Sequence, residues 1–197
     1  MLEQTLPLIA CDYCFMGRKT SFEAAEKDTI PIIVHKCTVD RWVTAHPVPR
    51  KGPEAWVAKT VTADLARWNY TQFVYKSDQE DSIVALKKKC VQELRKLNGD
   101  LIRVEYEHSG VGESASNSFI ERTIWEVEGL VRTLVHQVEA FHRCTIPMDH
   151  CIRLWAVEYA PQLLSRYQRA ASDGQTAFEL RRGRTWRRAL PHFCEPV

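Results

Sequence analysis

The run Leu6 to Met16, LPLIACDYCFM, is apolar at both parities of an extended chain and is broken by one charge, Asp12. A strand sends alternate side chains to opposite faces, so such a run predicts a central strand covered on both sides. That requirement favours an α/β architecture with helices on the two faces of a sheet. A lone carboxylate in such a strand is costly unless it is paired, protonated or bound to a cation. Two readings of Asp12 stay open: a structural ion pair with an arginine, or a metal-binding acid.

The remaining elements follow in order. Gly17 to Asp28 is polar and reads as a turn or long hairpin loop. Ile30 to Cys37 is a second strand and Arg41 to Pro49 a weaker third, with Pro47 and Pro49 placing its far end at an edge. Three successive strands with hairpin connections make an antiparallel start. Gly52-Pro53 opens a helix whose inner face is Trp56, Thr60, Val61, Leu65 and Trp68. Gln72 to Lys76 is a short strand. The helix Asp81 to Leu97 follows, with Lys87, Lys88 and Lys89 reading as mostly solvated and Asn98-Gly99 as its stop. Leu101 to Glu107 alternates as a strand, and His108 to Ser118, rich in glycine and serine, reads as a flexible loop.

Ser116 to Phe141 is a long amphipathic helix. Ile120, Ile124, Val127, Val131, Leu134, Val138 and Phe141 form its apolar stripe, and Glu121 sits at the edge of that stripe in the first turn. A second helix runs from about His150 to Ala170, with Pro161 expected to kink it. From Ser172 the tail reads as loop-rich. It carries Arg181, Arg182, Arg184, Arg187 and Arg188 within eight residues, a solvated surface or a phosphate-contacting cluster.

At 197 residues the chain suits one domain with a short extension, and a net charge of +2 neither demands nor excludes nucleic acid. Seven scattered cysteines argue against a secreted disulfide framework and for a reducing compartment. Cys11 and Cys14 have CxxC spacing, but three apart on a strand they face opposite sides and make poor joint zinc ligands. No run is long enough to span a membrane, and no signal peptide is evident. The chain opens directly into what reads as a core strand, which predicts a domain of a longer protein.

Three carboxylates stand out by position. Asp12 lies in the first strand, Asp78 just past the end of the fourth, and Glu121 at the start of the long helix. If the first and fourth strands are neighbours and the helix packs across them, the three converge. An oxygen-only set suits Mg²⁺ or Mn²⁺, and two such ions can activate an attacking oxygen and stabilise a leaving one at a phosphodiester. Each acid also has an ordinary role. Glu121 complements the helix dipole, and Asp78 lies in Ser77-Asp78-Gln79-Glu80, which fits a capping box with Ser77 as cap.

The segments IACDYCFM, KSDQEDSIVALKK, SASNSFIERTIWEVEGLVRTL, LWAVEYAPQLLSR and DGQTAFELRRGR, in that order, resemble the catalytic core of retroviral and retrotransposon integrases. The likeness is to the DDE, RNase H-like superfamily, of the long-terminal-repeat retrotransposon polyprotein type. It implies an α/β RNase H-like fold: a five-stranded mixed sheet, three antiparallel strands then parallel additions, flanked by helices. It implies an integrase-like core over residues 1–172 and a loop-rich basic extension over 173–197. Asp12, Asp78 and Glu121 then correspond to the catalytic, metal-binding triad, with two Mg²⁺ (or Mn²⁺) ions as cofactor. Ser116, Asn117, Arg122, Arg181, Arg182 and Arg184 become candidate nucleic-acid contacts. Glu113 is the alternative third acid, but it lies in the Gly/Ser-rich loop, where a ligand is poorly held. In this sequence Ser118, Ile124, Trp125 and Glu128 depart from the family pattern around Glu121.

The function implied is DNA integration: 3′-end processing and strand transfer of retroelement DNA into target DNA by a transferase and nuclease. The partners implied are double-stranded DNA and further copies of the chain, with no membrane, in the nucleus by way of the cytoplasm. A catalytically decayed or domesticated integrase-like nucleic-acid-binding domain is the alternative, and an RNase H-like nuclease a third reading.

Overall fold

The structure, a computed structural model, describes residues 6–16, 29–99, 101–108, 114–190 and 193–194, with 114–117 described in backbone only. The expected loop at Gly17 to Asp28, residues 109–113 of the Gly/Ser-rich segment and Glu113 lie outside them. Ten elements follow one another: β1 (Leu8–Met16), β2 (Ile30–Cys37), β3 (Val43–Pro47), α1 (Ala55–Trp68), β4 (Gln72–Ser77), α2 (Asp81–Asn98), β5 (Arg103–His108), α3 (Ser114–His142), α4 (Cys151–Tyr167) and α5 (Ala177–Arg182).

The strands form one mixed sheet in the order β3-β2-β1-β4-β5. β1–β2 and β2–β3 pair antiparallel, while β4 adds parallel to β1 and β5 parallel to β4. This is the predicted sheet, and it makes β1 the centre. Alternation along β1 then builds two cores. Ile9, Cys11 and Tyr13 pack with α1 and α2 on one face; Ala10 and Cys14 pack with α3 and α4 on the other. Cys11 and Cys14 therefore lie in different layers, as their spacing requires. Asp12 shares the parity of Ala10 and Cys14 and so belongs to the α3 side of the sheet.

Local details depart from expectation for physical reasons. The α3 stripe buries Ile120, Val127, Val131, Leu134 and Val138, but Phe141 is exposed and Val135 is buried instead. Its alternating spacing averages 3.5 residues, and a straight helix of 3.6 drifts by ~20° per heptad, about 60° by Phe141. α3 also begins at Ser114, so the C-terminal part of the expected loop is helix. In α1 the inner face is centred on Val57, Val61 and Leu65, which leaves Trp56 exposed. Lys87, expected in solvent, is fully buried: its Nζ donates to the Tyr75 carbonyl at 3.0 Å and the Glu107 carbonyl at 3.4 Å. The capping box at Ser77 does not form. Glu80 is the N-cap of α2 with no side-chain cap bond, and the buried Ser77 hydroxyl donates to the Asp78 carbonyl.

The tail is not all loop. Thr176 caps α5, accepting from the Glu179 N–H while the Glu179 carboxylate accepts from the Thr176 N–H, a complete capping box. The T-A-F-E sequence carried that signal.

Candidate functional site

Parallel strands β1 and β4 run side by side, and their carboxyl ends open on one edge of the sheet. Such ends, flanked by helix N-termini, are where open α/β sheets bind ligands. Asp12 lies within β1, two residues past its last pairing with β4, and Asp78 follows the last residue of β4. Tertiary structure thus brings together two acids 66 positions apart in sequence.

Asp12 is partly buried, and its Oδ1 accepts from the Tyr13 N–H at 2.7 Å. Burial is the main influence on its carboxyl. The Tyr13 bond opposes it, while the negative charges of Asp78 and Glu80 add to it and Lys51 subtracts. The net effect lifts the pKa to about 6. Among the described residues no arginine pairs with Asp12. Asp78 Oδ1 accepts from the Glu80 N–H at 3.2 Å, an Asx-type closure that fixes the acid at the mouth of α2. His108 of β5 reaches the Asp78 carbonyl at 3.4 Å. Glu80 holds Lys51 at 2.6 Å and accepts from the Ser82 hydroxyl. Glu80 and Lys51 are site neighbours that sequence reasoning passed over. Their proximity needs the β3–α1 connection to fold back over β1, which no spacing reveals.

Glu121 is exposed in the first turns of α3, next to buried Ile120. The charges acting most on Asp12 are those of Asp78, Glu80 and Lys51. Among the described residues no three His, Cys, Asp or Glu side chains are gathered closely enough to hold a metal. The structure therefore joins Asp12 to Asp78 and leaves Glu121 on the adjacent helix. The donor chemistry still fits Mg²⁺ or Mn²⁺: the paired acids are hard oxygen donors, and Asp12 bears a burial cost that a cation would relieve.

The basic candidates separate. Arg122 is exposed and pairs with Glu126 at 3.3 Å. Arg182 and Arg184 are exposed. Arg181 is not free for nucleic acid: it pairs with buried Asp40 at 2.9 Å and lies over the Trp42 ring. It clips α5 to the start of β3. Ser116 and Asn117 lie in the first turn of α3, their side chains outside the described residues.

Many solved structures share this architecture, among them the three that follow. The integrase catalytic core domain of HTLV-2 in complex with magnesium, in a trimeric form, matches with a TM-score of 0.55 and 14% identity, covering 88% of this chain and 95% of that one. Its dimeric form matches at 0.54 and 12% identity, covering 89% and 94%. This chain has the fold of a retroviral integrase catalytic core. A chain of the simian T-cell lymphotropic virus intasome in complex with the PP2A regulatory subunit B56 gamma matches at 0.59 and 14% identity, covering 96% of this chain and 58% of that one. No protein-family model and no curated protein matches the sequence. At these identities the likeness is one of integrase-core, RNase H-like fold.

Proposed function

We propose that this integrase-like domain is a divalent-metal-dependent polynucleotidyl transferase. It processes the 3′ ends of retroelement DNA, of the long-terminal-repeat retrotransposon type, and joins them to target DNA in the nucleus as a homo-oligomer. The observation that carries the reading is the placement of Asp12, two residues past the last β1–β4 pairing, within reach of the charge of Asp78 just past the end of β4, in a fold shared with integrase cores. The HTLV-2 core is a magnesium complex, which supports Mg²⁺ or Mn²⁺ here. No helix among the described residues is long and apolar enough to cross a membrane.

Asp12 and Asp78 hold the metal in this reading, and Glu121 completes a second site from α3. When bound, such ions supply an activated attacking oxygen and charge stabilisation at the leaving oxygen. The chain's own residues do the positioning. The Glu80 N–H orients Asp78, the Tyr13 N–H orients Asp12, and the rigid sheet keeps the two acids in register. Arg122, Arg182 and Arg184, with Ser116 and Asn117, contact the DNA backbone.

The test is nicking and strand transfer on a duplex end with Mg²⁺ or Mn²⁺, comparing the parent with Asp12→Asn, Asp78→Asn, Glu121→Gln and Glu113→Gln. Each of the first three lowers the rate by more than about 100-fold, at least the scale seen on disturbing a metal site, and Glu113→Gln does not. The exposed position of Glu121 and the absence of a gathered acid triad among the described residues favour one second reading, a decayed integrase-like DNA-binding domain. A parent that binds DNA but is inactive with either metal establishes that reading instead.

A further inference from the structure

We propose that Lys51 is a phosphate-contacting residue of this site. Its ammonium leaves Glu80 to meet a backbone phosphate of the nucleic acid that Asp12 and Asp78 engage. The proposal rests on the DNA reading above and adds a cation to it.

Lys51 lies in the connection between β3 and α1. Its Nζ is 2.6 Å from Glu80 Oε2, and it lies 5.3 Å from the ring centre of Tyr13 and 5.0 Å from that of Phe15. Both rings belong to the end of β1 just past Asp12. The next residue anchors the connection: the Gly52 N–H donates to the buried Tyr13 hydroxyl at 3.1 Å. Glu80 in turn donates its own N–H to Asp78. The ammonium is therefore held by three contacts, on Glu80, whose N–H bonds Asp78, and over the rings of Tyr13 and Phe15; its charge reaches Asp12, and the side chain keeps 28% of its surface open.

A pair of acids repels a polyanion, and phosphoryl transfer builds negative charge on the equatorial oxygens. A cation aimed at that position answers both. On α3 the exposed Arg122 pairs with Glu126 and is assigned to the DNA backbone above, and Trp125 and Glu128 occupy the following turn. Lys87, the other cation under β4, is fully buried with its protons directed at strand carbonyls. Of these three, Lys51 is the one paired with Glu80, the residue whose N–H bonds Asp78, while keeping access to solvent. Exchanging Glu80 for a phosphate replaces one charge-assisted bond of Lys51 by another, and the Glu80 carboxylate left behind keeps the Ser82 hydroxyl and 35% of its surface in solvent.

The experiment is equilibrium binding of a fluorescent DNA duplex at fixed Mg²⁺ over a series of KCl concentrations. Loss of one phosphate contact lowers the slope of log K against log salt by about 0.9. Lys51→Met shows that drop, and Lys51→Arg retains the parental slope. Glu80→Gln, which frees the ammonium, binds DNA more tightly than the parent. Melting curves confirm folding. If Lys51→Met is unfolded, Glu80→Gln and Lys51→Arg carry the test, and unchanged affinity in Glu80→Gln overturns the proposal. A folded Lys51→Met with the parental slope overturns it while leaving the DNA reading intact. A parent without salt-dependent DNA binding overturns both.

Discussion

Asp12 carries its charge against its surroundings. Its carboxyl titrates at about 6 instead of 3.8, so the folded state holds the proton more tightly than the unfolded one. The resulting stability is full below pH 3.8 and lost as the pH rises through about 6. Above that, Asp12→Asn removes a charge penalty, and thermal melts at pH 8 show it more stable than the parent by about 1–3 kcal/mol. At pH 4 the two proteins melt alike; a variant less stable at both pH values contradicts the assignment of Asp12 as a strained acid. His46 behaves in the opposite sense of charge. Burial disfavours its imidazolium, but bonds to Asp64 at 2.7 Å and Glu158 at 3.3 Å outweigh that and raise its pKa to about 9. This stabilisation is present below pH 6.5 and lost as the pH rises through 9. Stability against denaturant therefore falls over that window by about 1–3 kcal/mol, and His46→Gln flattens the dependence. An equally steep decline in His46→Gln would place the titrating group elsewhere. His35, one strand away, is fully buried and burial drives its pKa down to about 3; its Nε2 lies 2.7 Å from the Tyr75 hydroxyl, so it stays neutral throughout.

At the scale of elements, the C-terminal arginines divide by what they pack on. Arg181 spans from α5 to Asp40, and both side chains are largely enclosed. Arg166 lies between the rings of Trp42 and Trp186, while Trp186 Nε1 donates to the Tyr167 hydroxyl at 3.1 Å. Together they fasten α5 and the residues after it to β3 and α4. Removing one partner of such an enclosed pair costs about 3–5 kcal/mol. Arg181→Ala should show that loss in a melting curve, with little change in the salt slope of DNA binding. The double variant Arg182→Ala/Arg184→Ala should keep its melting point and lose up to about 1.8 of that slope, roughly 0.9 per phosphate contact. The reverse pattern would return Arg181 to the DNA surface. A cluster of arginines in sequence does not distinguish these roles. The distinction comes from Asp40 and Trp42, which are distant in the chain.

For the whole molecule, the central strand is the organising constraint. Leu6–Met16 required two covered faces, and α1/α2 and α3/α4 provide them. Strand and helix identity and the antiparallel start were legible because period and burial follow from local pattern: strands alternate, helices repeat near 3.6, and a strand apolar at both parities sits in the middle; the mixed five-stranded sheet was implied by the family resemblance. For the same reason Asp12 could be singled out and Asp78 placed at a strand end. The sequence alone thus determined the α/β class, the antiparallel start of the sheet, the long helix and which acids had unusual positions. Only the tertiary structure decided who their neighbours are. It set Glu80 against Asp78 and Lys51 on Glu80, enclosed Lys87, turned Phe141 and Trp56 outward and committed Arg181 to Asp40. Each of these depends on the chain folding back across long sequence separations, where side-chain charge and burial are set by the neighbours a residue meets and not by its own local pattern.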